Sequence, residues 1–112
     1  MNLSGLIDFV STEPIISDAI ADSRSGRLAS LDLTLPDAAR SMFTAALARQ
    51  AGRMVLLVTS TYREAEAASA ALSSLLGEDE VAYYPAWETL PHERLSPRSD
   101  TVGRRLAVLR RV

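Results

Sequence analysis

The run Met54-Val55-Leu56-Leu57-Val58 constrains this chain more than any other feature. Gly52 stands just ahead of it, and Thr61-x-x-Glu64, the pattern of a helix-opening capping box, stands just behind. A continuous apolar run bounded in this way reads as a central parallel strand covered on both faces. It is also the longest aliphatic run, far short of the roughly 20 residues that cross a bilayer.

Helical patterns flank the run. Pro36 fits a first helical position and Asp37 favours the positive end of a helix. Ala39, Met42, Phe43, Ala46 and Leu47 then form a buried stripe that closes near Gly52. After the capping box, Ala65, Ala68, Leu72, Leu75 and Leu76 make a second packing face, which Gly77 ends. Ala29, Leu31, Leu33 and Leu35 alternate with polar residues as a first strand, and Glu80 to Tyr84 reads as a third. Strands alternating with helices predict an α/β fold, a three-layer parallel sheet of the kind found in P-loop NTPases.

Ahead of this pattern, residues 1–27 read as a helical lead. Leu3, Leu6, Ile7 and Val10 recur at helical spacing, and Thr12 is the expected N-cap of a second helix with Pro14 in its first turn. Ile16, Ala19 and Ile20 follow on one face, and Gly26 supplies the stop. At the other end, the prolines of the Pro85–Pro97 segment bar regular helix or a central strand. Ser99-Asp100 is the expected cap of a last helix, with Val102, Leu106 and Leu109 docking it on the sheet. A three-strand sheet with an unclosed last helix is a poor stopping point, so residues 28–112 are expected to be the first part of a larger domain.

Composition excludes several classes of chemistry. The absence of cysteine removes disulfides, thiolate metal sites and cysteine nucleophiles. His92 is the single histidine, and Glu88 and Glu93 beside it make an oxygen-rich set that does not call for imidazole, so no metal is expected. The net charge of −2 gives no bulk reason to bind nucleic acid. Yet all twelve basic residues are arginine, and Arg94, Arg98, Arg104, Arg105, Arg110 and Arg111 fall in the last nineteen residues. That cluster is either a solvated helix face or a contact surface for nucleic acid or a neighbouring domain, with Arg98, Arg104, Arg105 and Arg111 as its candidates.

The turn after the first strand is where a phosphate loop belongs in such a sheet. A Walker A loop needs two glycines, a lysine and a Ser/Thr at fixed spacing. Aligning Arg40-Ser41 with the Lys-[Ser/Thr] pair places Thr34 and Ala39 at the glycine positions, so Ser41 alone survives. Pro36 removes an amide donor and Asp37 brings negative charge towards a phosphate. The expectation is a degenerate loop that binds no nucleotide, with an unconventional nucleotide site as the alternative. Tyr83, Tyr84 and Trp87 gather aromatic side chains at one strand end, where a buried Trp87 is expected to anchor the proline-rich loop. Base stacking is the functional alternative.

The stretch Tyr84-Pro85-Ala86-Trp87-Glu88-Thr89-Leu90-Pro91, followed by Ser96-Pro97, Asp100 and Arg105-Leu106-x-x-Leu109, resembles a run near the start of bacterial transcription-repair coupling factors, the Mfd family. The segment His92 to Gly103 looks particularly like actinobacterial members, in keeping with a lysine-free composition. The resemblance implies an amino-terminal UvrB-like first domain of an ATP-dependent DNA translocase that displaces stalled RNA polymerase and recruits UvrA. Trp87, Glu88, Leu90, Pro91, Ser96 and Pro97 are then structural motif residues. UvrB itself carries an intact Walker A loop and a DNA-clamping hairpin, and neither carries over to this chain. What the resemblance implies for these residues is a non-catalytic, cytoplasmic scaffold segment without a cofactor. ATP and magnesium, UvrA, RNA polymerase and DNA would be bound by other parts of the full protein.

Overall fold

A computed structural model describes residues 3–27, 29–87, 96 and 98–112. Five α-helices run in the order α1 (Ser4–Val10), α2 (Pro14–Ser25), α3 (Asp37–Ala51), α4 (Tyr62–Leu76) and α5 (Ser99–Arg111), with a 3₁₀ turn at Glu78–Glu80. α3 is the centre of the body: α1, α2 and α4 all pack against it, and α1 also reaches α4.

Local chemistry sets these boundaries. Pro14 is the first residue of α2, where its missing N–H costs nothing. Gly26 and Gly52 end α2 and α3 at φ of 67° and 63°, a left-handed conformation that a Cβ would strain. At α4 the capping box is complete: the Glu64 amide donates to Thr61 Oγ1 at 3.2 Å, and the Thr61 amide donates to Glu64 Oε2 at 3.1 Å. Pro36, expected as the first helical residue of α3, is its N-cap, and two expected caps are corrected as well. Glu13, not Thr12, is the N-cap of α2, because the Thr12 hydroxyl donates backwards to the Phe9 carbonyl at 2.7 Å and closes α1. Arg98, not Ser99, is the N-cap of α5, and Ser99 is its first helical residue.

Ile7, Ile20, Ala45, Ala46, Leu72 and Leu75 form the core, with Leu3, Ile16, Met42, Leu47, Leu76 and Val81 packed around it. The stripes expected on α2 and α4 face inward; on α3 the buried pair is Ala45 and Ala46, with Ala45 outside the expected stripe and Ala39, Met42, Phe43 and Leu47 half-buried. Their partner is different: they pack on one another, helix against helix. Ala45 and Ala46 are fully buried, and their short side chains leave room for α1 and α2 to approach α3.

The parallel sheet is the expectation that fails. Among the described residues there is no strand and no sheet. A strand exists only through a ladder with a second strand, and the segments expected to pair, 29–35, 54–58 and 80–84, exchange no backbone hydrogen bond. Outside the helices, the one backbone bond joining distant parts of the described chain runs from the Leu3 amide to the Ser74 carbonyl at 3.0 Å. The apolar run accordingly has one side half-covered, at Val55, and the other open, with Met54, Leu56 and Val58 exposed by 73%, 81% and 79%. The accessible surface of 8590 Å² exceeds the roughly 6000 Å² of a compact monomer of this mass. The radius of gyration, 16.0 Å, likewise exceeds the roughly 13 Å of a compact chain of this length. The body is thinly packed, and its stability rests on a small apolar cluster.

Ile7 is fully buried at the contact of α1 with α3 and α4. Ile7→Ala is therefore expected to lower the unfolding free energy by about 2–5 kcal/mol in urea titrations followed by circular dichroism, whereas Leu6→Ala, on the exposed side of the same helix, costs far less. Thr61→Ala, which removes one half of the capping box, is expected to cost about 1 kcal/mol in the same titration.

Candidate functional site

Two clusters nominated by the sequence fall at separate places in the structure. The first is the entry to α3. Pro36 is the N-cap and its carbonyl accepts the Ala39 amide at 2.9 Å. Thr34 is exposed, Ala39 and Ser41 are half-buried, and Arg40 is exposed. The Arg40 guanidinium meets the Asp37 carboxylate at 3.2 Å, one helical turn back. At the position aligned with the phosphate-binding lysine, the cation is thus paired with an acid of its own helix. Both partners are solvent-exposed, so the pair contributes little to stability.

The second cluster joins α5 to the stretch that follows α4. Arg105 Cζ lies 4.0 Å from the centroid of the Tyr84 ring and 4.1 Å from that of Trp87, well inside the range in which a guanidinium is attracted to an aromatic face. Arg105 Nη1 also donates to the Pro85 carbonyl at 2.6 Å, and Pro85 is buried between the two aromatic residues in sequence. Further along, Arg111 Nη1 donates to the Val81 carbonyl at 3.3 Å and Arg111 Nη2 donates to the Asp79 carbonyl.

These contacts revise three expectations. Trp87 is 46% exposed, anchored by a stacked cation where burial was expected. Arg105 and Arg111, nominated as outward contacts, bind backbone carbonyls of their own chain, while Arg104 and Arg98 are exposed, Arg98 at the N-cap position of α5 without a side-chain capping bond. The face of α5 turned inward carries Thr101, Val102, Arg105 and Val108; of the residues expected to dock the helix Val102 is half-buried, and Leu106 and Leu109 are 52% and 57% exposed. Of the motif residues, Ser96 is exposed, and Glu88, Leu90, Pro91 and Pro97 lie outside the described residues, as do His92 and Glu93. Sequence reasoning missed the acceptors, because no side-chain pattern announces that a particular carbonyl will be offered to an arginine. The available signal was that Trp87 and Arg105 belong to one motif.

An open groove of about 730 Å³ lies where the ends of α3 and α4 meet the start of α1, lined in part by Arg49, Ser73, Ser74, Gly77 and Glu78. The carboxyl ends of two helices and Glu78 bring negative charge to it, and Arg49 and the amino end of α1 bring positive charge. No helix among the described residues is long and apolar enough to cross a membrane.

A double-mutant cycle on Tyr84→Leu and Arg105→Met is expected to return a coupling energy of about 0.5–2 kcal/mol by urea denaturation. Simple additivity would mean that the stacking geometry carries no energy.

Three relatives share the name transcription-repair-coupling factor. Those of Mycobacterium bovis and Mycobacterium tuberculosis are each 44% identical over 110 residues, 98% of this chain. That of Haemophilus influenzae is 35% identical over 63 residues, 56% of this chain. No family model and no solved structure matches the chain. The chain spans 9% of the length of the mycobacterial relatives and 5% of that from Haemophilus influenzae. With nearly every residue matched at such identity, this chain belongs to the transcription-repair coupling factors as an amino-terminal segment of one.

Proposed function

We propose that the chain is a non-catalytic scaffold segment of a transcription-repair coupling factor. The observation that carries this reading is the entry to α3, where Asp37 neutralises Arg40 and Pro36 supplies no amide. A phosphate would find there a cation already engaged, an acid beside it, and one donor fewer than a phosphate loop offers. Scaffolding is favoured over a basic DNA-binding surface because Arg105 and Arg111 bind carbonyls within the chain. The segment would then support the adjoining parts of a larger cytoplasmic protein. In that protein other domains bind ATP and magnesium, move along DNA, displace stalled RNA polymerase and recruit UvrA.

Titration of the chain with ATP and magnesium, followed by calorimetry, is expected to show no saturable binding below about 1 mM. Saturation in the micromolar range would overturn the scaffold reading in favour of a nucleotide-binding domain with an unconventional loop.

A further inference from the structure

α5 is held by a different kind of contact from the one that joins α1 to α4. Those four helices share an apolar core. α5 has Thr101 buried and Val102, Arg105 and Val108 half-buried, turns Leu106 and Leu109 outward, and places Arg105 and Arg111 on backbone carbonyls of the chain. Carbonyl acceptors and ring partners of Arg105 and Arg111 lie in the stretch 79–87, directly after α4.

We propose that Arg105 is a latch: it fastens α5 to the Tyr84–Trp87 stretch, and α5 opens from that stretch as a unit while the α1–α4 body stays folded. The latch needs arginine rather than any cation. A planar guanidinium can lie near two aromatic rings and still direct an N–H in its own plane to the Pro85 carbonyl, whereas an ammonium is a compact, strongly hydrated point charge. A 13-residue helix released from its docking surface is marginal in water, so opening shows as loss of amide protection in α5. Opening also uncovers the rings of Tyr84 and Trp87, and the closed latch keeps both engaged. The inference rests on this geometry and stands independently of the scaffold reading.

The test is amide hydrogen exchange on the 112-residue chain and its Arg105→Met and Arg105→Lys variants, with Trp87, the only tryptophan, as a fluorescent reporter. In Arg105→Met, α5 amides are expected to exchange about 10- to 100-fold faster while α4 amides keep their rates. Trp87 emission should move to longer wavelength as the indole loses its cover. Arg105→Lys should recover only a minor part of the protection. Tyr84→Leu, which leaves α5 untouched, should accelerate α5 exchange in the same direction by a smaller factor. Unchanged α5 rates in Arg105→Met would overturn the proposal. Equal acceleration of α4 and α5 would show global destabilisation and overturn it too, and so would full protection in Arg105→Lys.

Discussion

The close approach of helices over Ala45 and Ala46 is the contact on which the rest of the molecule depends. With no side chain beyond Cβ at those positions, α3 can take Ile7 from α1, Ile20 from α2 and Leu72 and Leu75 from α4 into one cluster. Each helix is short, and α1 has only seven residues. Helices of this length are marginal alone, so their persistence comes from the shared apolar face. The caps at Thr61, Gly26 and Gly52 then decide where each helix stops, which sets the lengths of the connections between them.

Around that cluster the apolar surface is not all covered. Met54, Leu56 and Val58 lie on the outside, and α5 sits beyond the core on arginine contacts. The two modes of attachment differ in physical character. Apolar burial is non-directional and scales with area, so the core tolerates adjustment. The Arg105 contact is directional, needing two rings and a carbonyl at set positions, and it makes the placement of α5 depend on a handful of atoms. In this chain Trp87 and Arg105, two residues of the motif named by resemblance, meet in one structural contact.

How much of this was legible depends on the range of the interaction. The helix from Asp37 to the glycine at 52, the capping box at Thr61 and Glu64, and the inward stripe of α4 could all be read, because they involve residues three or four apart. Thr12 shows the limit of even that reasoning: a hydroxyl that could cap the next helix bonded the end of the previous one. The apolar run at Met54–Val58 was misjudged because five apolar residues in a row describe a preference for burial, not a partner. Of the two candidate clusters, the α3 entry was located from spacing alone. The Arg105 contact was not, since its partners lie some twenty residues away and one of them is a backbone carbonyl.

The sequence by itself determined which segments are helical to within a residue of their ends, which of their faces are apolar, and through one long motif the family to which the chain belongs. These follow from local hydrogen bonding, side-chain periodicity and residue identity, all of which are written along the chain. Only the tertiary structure decided that the helices pack on each other instead of on a sheet, that Trp87 is stacked instead of buried, and that Arg105 and Arg111 are engaged by carbonyls of their own chain. Each of those outcomes depends on which distant group arrives beside a residue, and a linear pattern carries the residue's preference without naming that group.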